Sequence, residues 1–215
     1  MKRLFLLIPI ILSINLFFSC DAISQKKSDV RKVQLKAPAG KAIAAFAEGC
    51  FWCSEHIFEA VAGVDSAVAG YAGGTRANPT YELVNTETTG HAESVLVYYD
   101  PKVISYSELL NVFFDSHDPT TPNQQGPDKG SSYRSIIFYL NNTEKNLAEK
   151  SLLSAAKSGR FKKPIVTEIM PLTAFYRAEQ YHQEYIKHHP NDTYVRSVSI
   201  PRYELFRKTY KGKLK

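Results

Sequence analysis

Cysteine is scarce in this chain, and its scarcity excludes most of what cysteine does in exported proteins. Among 215 residues there are 3, Cys20, Cys50 and Cys53, too few for the disulfide framework that holds small secreted domains together. A long apolar run is missing too. Residues 4–18 form the one extended apolar stretch, interrupted by Pro9, Ser13 and Asn15, and fall short of the ~20 residues a membrane-spanning helix needs. Basic charge exceeds acidic by 27 to 21, net +6, but it is diffuse. No basic face interleaved with aromatics appears, so no nucleic-acid partner is expected. Internal repeats, low-complexity segments and a four-ligand Cys/His set are also absent, and no metal or other cofactor is expected.

What is present begins with an export signal. Lys2 and Arg3 precede the apolar stretch, which ends at Phe17-Phe18-Ser19-Cys20, a pattern that resembles a bacterial lipobox although Leu is more usual at the place of Phe17. Residues 1–19 are expected to be cleaved and Cys20 lipidated, giving a membrane-anchored lipoprotein facing the periplasm or cell exterior; plain secretion is the alternative. Cleavage removes two basic residues and no acidic one, which lowers the net charge from +6 to +4. Residues 20–40 are polar and aperiodic and read as a tether. One domain fills 41–215, ending in a basic tail (Arg207, Lys208, Lys211, Lys213, Lys215) expected to be solvated and frayed. The 13 Tyr and 12 Phe suit a lined pocket or simply an aromatic-rich core.

Within the domain, the pattern predicts strands at 42–48, 64–71, 92–99, 133–140 and 165–170. Helices are predicted at 51–62, 107–114 and 178–188. A further helix is capped at Asn142 or Thr143, with Leu147, Ala148, Leu152, Ala155 and Ala156 as its apolar face. Residues 75–91 and 118–132 read as loops, the second long enough to suggest function. Strands and helices alternate irregularly, which points to an α+β, two-layer α/β domain rather than a doubly wound sheet.

The chemistry concentrates at Gly49-Cys50-Phe51-Trp52-Cys53. A strand running through glycine to a cysteine at a helix start presents that sulfur to unpaired helical N–H groups, which favour a thiolate. Cys53, three residues on, returns to about the same face within disulfide range, so the pair can cycle between dithiol and disulfide. Two buried structural cysteines, or half of a zinc site with His56, are the competing readings of this pair.

Longer motifs bear on the choice. The segment Gly49 to Glu55 resembles the signature of the peptide-methionine (S)-S-oxide reductases. Four further blocks follow in that family's order: Gly70-Tyr71-Ala72-Gly73-Gly74, Asn78-Pro79-Thr80-Tyr81, Thr89-Gly90-His91-Ala92-Glu93, and Asp128 with Gly130 to Ser135; His117-Asp118-Pro119 also matches. The resemblance spans residues 43–190. It implies a ferredoxin-like core of mixed sheet with flanking helices, and reduction of methionine S-sulfoxide, protein-bound or free. Cys50 would attack the sulfoxide sulfur, and Glu93, kept protonated by burial, would protonate the oxygen. Tyr81 and Tyr133 would hydrogen-bond that oxygen with Asp128 in support, while Phe51 and Trp52 would form the wall for the S-methyl group. Glu93 alone would read as a solvent-facing strand carboxylate, and Tyr81, Tyr133 and Trp52 as core aromatics.

Many members of that family carry glycine at the place of Cys53 and cysteines near the C-terminus, which this chain lacks. The resemblance therefore implies that Cys53 condenses with the Cys50 sulfenic acid, and that a thioredoxin-like protein reduces the resulting disulfide. Pro127, Lys129 and Ser131-Ser132 also depart from the usual pattern around Asp128. A monomeric protein-repair enzyme is expected; a thiol–disulfide oxidoreductase and a non-catalytic module that binds Met-rich surfaces are the alternatives.

Overall fold

The computed structural model describes residues 30–215, so the expected signal and Cys20 lie outside the described residues. In chain order the strands are β1 (Arg31–Lys32), β2 (Ala42–Glu48), β3 (Val64–Ala72), β4 (Ala92–Tyr99), β5 (Gln124–Gln125), β6 (Asp128–Lys129), β7 (Ser135–Tyr139), β8 (Glu168–Pro171) and β9 (Phe175–Arg177). The helices are α1 (Phe51–Glu59), α2 (Tyr81–Asn85), α3 (Tyr106–Ser116), α4 (Asn142–Lys157), α5 (Tyr185–His188) and α6 (Ile200–Thr209). Seven strands form one mixed sheet in the order β1-β9-β3-β4-β2-β7-β8. Its centre, β7-β2-β4-β3, is antiparallel throughout. With α1 joining β2 to β3 and α3 lying between β4 and β7, this is the expected ferredoxin-like arrangement; β8 adds a parallel strand beyond β7.

Burial on both faces explains why β2 reads as a continuous apolar run rather than an alternating one. Phe46 points into the helical layer, where it stacks on Phe58 at 5.0 Å and lies 5.5 Å from Phe113. It is wholly buried, and truncating such a ring typically costs about 3–5 kcal/mol. Ile43, Ala45 and Ala47 face the other way with Leu96, Ile136 and Phe138, and are covered by Val33, Leu35 and Ala37. The chain thus joins the sheet before Lys41: Arg31 and Lys32 pair with Arg177 and Tyr176, and the Val33 N–H donates to Phe175 O at 2.8 Å.

Local chemistry sets several boundaries. The Ser105/Glu108 capping box starts α3 at Tyr106, and the Asn141 side chain, one residue before the expected cap, accepts the Glu144 N–H to start α4. Leu147, Leu152 and Ala155 pack inward with buried Ala148, but Ala156 is exposed. Residues 75–91 contain α2, capped by Thr80. The long loop contains a hairpin, β5 with β6, turning through Gly126 (φ +58) and Pro127, a position that favours glycine.

Two expectations are corrected. The helix predicted over 178–188 is broken: a 3-10 turn at Gln180–His182 is followed by Glu184 in the left-handed region (φ +51) and then α5. Tertiary partners draw this segment out of the helix. The Gln183 amide donates to Ala69 O and Ala178 O, each at 3.0 Å, and the Glu184 N–H donates to Glu55 Oε2 at 2.8 Å. The C-terminal tail is not frayed either. A π-helical turn, Val195–Ser199, runs into α6, which buries Phe206. Lys213 O and Lys215 N then bond Ala62 N and Ala60 O at 3.0 and 2.9 Å.

Candidate active site

The turn between β2 and α1 sets the position of Cys50. Gly49 has φ +91, and a Cβ there would meet Gln125 Cβ at 2.4 Å, so glycine lets the hairpin loop close over the turn. Cys50 is the N-cap residue of α1, with no side-chain capping bond. Its carbonyl accepts the Cys53 and Ser54 N–H groups at 3.1 and 3.3 Å. The Phe51 N–H goes instead to Glu93 Oε2 at 3.0 Å. These helix-start amides are therefore taken by a carbonyl and a carboxyl, not by the Cys50 sulfur, and the expected lowering of that thiol does not arise in this state. Burial first, then the Cys53 sulfur, pushes Cys50 well above the ordinary thiol range.

Glu93 projects from β4 and is buried. Desolvation raises it to about 8, against the opposing Phe51 hydrogen bond. It is a carboxylic acid at neutral pH, not the solvent-facing carboxylate its strand alone suggests. Cys50, Phe51, Trp52, Tyr81, Glu93, Asp128 and Tyr133 line one cavity of about 310 Å³, together with Asp192 and Tyr194. Burial raises Tyr81 and Tyr133, so both phenols are hydrogen-bond donors here. Burial also raises Asp128, opposed by the hydrogen bond its Oδ2 accepts from the Tyr194 hydroxyl.

The aromatic wall is held from behind. Trp52 stacks on Tyr185 at 3.7 Å with the rings 6° apart. Its indole N–H donates to His182 Nδ1 at 3.1 Å. An indole can only donate, which puts the proton of a neutral His182 on Nε2, 4.0 Å from Glu179 Oε2. Glu179 also accepts the Tyr71 hydroxyl at 2.8 Å and the Tyr81 N–H at 3.0 Å. The broken 178–188 segment thus fixes Trp52 and Tyr81 together.

Cys53 lies outside this cavity. It lines a second one of about 740 Å³ with Arg202, and Asp128 and Tyr194 border both. The hydrogen bond from Cys50, then Arg202 and the Ser199 hydroxyl, lower Cys53 to about 6 against its burial. The two cysteines are not joined in a disulfide in this structure. His56 packs against the Tyr203 ring at 4.6 Å; among the described residues no group of three or more His, Cys, Asp and Glu side chains is placed to hold a metal ion. No described helix is long and apolar enough to cross a membrane.

Sequence reading missed Tyr194, Asp192, His182, Glu179, Ser199 and Arg202. A weak signal existed for Arg202: Pro201 followed by helix formers reads as a helix start. Nothing local marks Tyr194, whose part in the site depends on a partner in the hairpin.

A buried thiol, a buried protonated carboxyl and two phenols around one cavity make a candidate site for thiol chemistry. The sequence pattern described as "Peptide methionine sulfoxide reductase" matches residues 42–214, and the chain belongs to that family. It is 43% identical over 187 residues to Peptide methionine sulfoxide reductase MsrA 1 of Rhodopirellula baltica, covering 87% of this chain and 96% of that one. The reduced form of Mxr1 from Saccharomyces cerevisiae superposes with a TM-score of 0.68 at 36% identity, covering 73% of this chain and 91% of that one. Mxr1 in complex with Trx2 gives 0.50 at 26% identity, covering 71% and 94%.

Proposed function

We propose that this methionine sulfoxide reductase acts on the S epimer through Cys50, with Cys53 as the resolving cysteine. The observation that carries this is Glu93, buried, held by Phe51 N–H and raised to about 8, in one cavity with the Cys50 sulfur. Glu93 gives its proton to the sulfoxide oxygen as Cys50, surrendering its own proton to the carboxylate, attacks sulfur. The oxygen ends on Cys50 as sulfenic acid, and the thioether leaves. Tyr81 and Tyr133 fix the oxygen opposite the wall of Phe51 and Trp52, which takes the methyl group and so selects one epimer.

Cys53 then forms a disulfide with Cys50, releasing water, and an external dithiol restores the pair. The complex of Mxr1 with Trx2 supports a thioredoxin-like donor. The substrate is methionine sulfoxide in oxidised envelope proteins as well as free, and the chain acts as a monomer anchored through lipidated Cys20 outside the cytoplasm. Epimer-resolved single-turnover assays test the core of this reading. Cys50→Ser abolishes activity, and Cys53→Ser yields one equivalent of methionine and stalls. Sustained turnover by Cys53→Ser with thioredoxin, or reduction of the R epimer, overturns it.

A further inference from the structure

The C-terminal segment closes over Cys53. Ser199, at the end of the π-helical turn, is buried, with its Oγ 3.2 Å from Cys53 Sγ. Three residues on, Arg202 is held rigidly. Its Nη2 donates to Glu48 Oε1 at 2.9 Å and Glu48 O at 3.0 Å, and its Nε donates to Ser116 O at 2.8 Å. Glu48 is itself wholly buried, and its second oxygen accepts the Ser116 hydroxyl at 2.6 Å. The remaining arm of the guanidinium, Nη1, lies beside Gly49, 3.7 Å from the place a Cβ would take, and Arg202 lines the same cavity as Cys53. Spacing of three along a helical segment brings Ser199 and Arg202 to one face, and a π-turn at such a junction is a common mark of function.

We infer that Ser199 and Arg202 are positioning residues for Cys53, holding its sulfur as a thiolate both for resolution and for departure when the disulfide is reduced. This rests on the reading of Cys53 as the resolving cysteine. In the resolving step the Cys53 thiolate attacks the sulfenic sulfur of Cys50. The S–S bond forms, the S–O bond breaks, and the hydroxyl leaves as water with a proton from Glu93. Cys53 sulfur is oxidised and the sulfenic sulfur reduced. On the return, the reductant's first thiolate attacks Cys50 and Cys53 leaves; a thiol with a lowered pKa is the better leaving group. The reductant's second thiol then attacks the mixed disulfide, taking its own disulfide away and freeing Cys50. In the sulfenic state Cys50 no longer offers Cys53 a thiol hydrogen bond, so Arg202 and Ser199 are the groups left to hold the charge.

The test separates the two half-reactions. Ser199→Ala removes only the hydroxyl, and the Arg202→Met/Glu48→Gln double variant removes the buried pair together, avoiding a buried carboxylate without its partner. In single-turnover experiments methionine formation is followed beside the loss of trappable sulfenic acid. The double variant is expected to slow sulfenic acid loss about tenfold more than methionine formation, and Ser199→Ala by a smaller factor in the same direction. In a Cys50→Ser background, ultraviolet thiolate absorbance of Cys53 should move to higher pH in both variants. Equal slowing of both half-reactions, or an unmoved absorbance profile in folded variants, overturns the inference. If Cys53→Ser turns over repeatedly, the reading of Cys53 fails instead. A stalled Cys53→Ser with unaffected resolution in the Ser199 and Arg202 variants sinks only the positioning role.

Discussion

Glu93 Oε2 receives the backbone N–H of Phe51 at 3.0 Å, joining the carboxyl on β4 to the helix start that carries Cys50. That bond favours the carboxylate, yet burial outweighs it and holds Glu93 at about 8. Glu93→Gln keeps an oxygen to accept the Phe51 N–H but has no acidic proton. The first turnover is expected to slow about 10²–10⁴-fold with the fold intact. For the wild type, the acid is present below about 8 and lost above it, so the rate of methionine formation falls as pH rises through about 8. A pH–rate profile of the first turnover checks both statements; a limb unchanged in Glu93→Gln would remove Glu93 from it.

Burial of acids also sets how stability follows pH. Desolvation raises Glu48 to about 7, and Glu55 and Glu93 to about 8. A group whose folded pKa is raised stabilises fully below its unfolded value, and that stability is lost as pH rises through the folded one. His117 and Cys53 work oppositely: burial lowers His117 to about 3 and Cys53 is lowered to about 6, so their contributions are present above the unfolded values and lost as pH falls through the folded ones. Between about pH 5 and 8 the three raised carboxyls outweigh His117 and Cys53, and thermal stability should peak in mild acid and fall across that window. Melting curves across that range test this. Glu55→Gln should flatten the fall, and a midpoint that rises from about pH 5 toward about pH 8 contradicts the assignment.

The sequence made the candidate cluster legible because its chemistry sits in short local motifs. Cys50, Phe51, Trp52, Tyr81, Glu93, Asp128 and Tyr133 reach one cavity, and the β2, β4 and sheet-core patterns mark their strands directly. Residues whose part depends on distant partners were not legible. Ser199 meets Cys53 across 146 positions of sequence, and no local rule records that. The periodicity of residues 178–188 suggests a helix, but Ala69, Ala178 and Glu55 take its polar groups. The protonation of Cys50 escaped for the same reason: the helix-start position was readable, but not that Glu93 claims the first amide.

Trp52 is the single tryptophan of the chain, and it lines the candidate cavity while stacked on Tyr185 and bonded to His182. Its fluorescence should therefore report the state of the site without a label. Saturation with dimethyl sulfoxide, a small sulfoxide probe, should change emission in Cys50→Ser, where binding occurs without turnover. Oxidation of the wild type to the disulfide should change it again. Trp52→Phe keeps a ring but loses the N–H bond to His182, and is expected to raise KM about 10-fold, in keeping with ~1.4 kcal/mol from a lost hydrogen bond and poorer stacking. Steady-state kinetics against free methionine sulfoxide measure it; an unchanged KM would place the substrate away from this wall.

Gly49 tests whether the turn before Cys50 acts through geometry rather than stability. Its φ is +91, and an added Cβ would lie 2.4 Å from Gln125 Cβ and 2.7 Å from Gln125 Cγ. The Cβ contact involves the root of a side chain on β5, so relief requires the hairpin to shift, and β6 of that hairpin carries Asp128. Gly126 provides the control: its φ is +58, but a Cβ there meets nothing within 4 Å. Both Gly→Ala changes cost backbone strain of about 1–3 kcal/mol, and only Gly49→Ala disturbs the cavity. Gly126→Ala should therefore lower the melting temperature with kcat nearly unchanged. Gly49→Ala should lower the melting temperature and kcat together, because the strand end, Cys50 and Asp128 meet at this one contact. Equal kcat in the two variants would mean that the hairpin yields without moving the site.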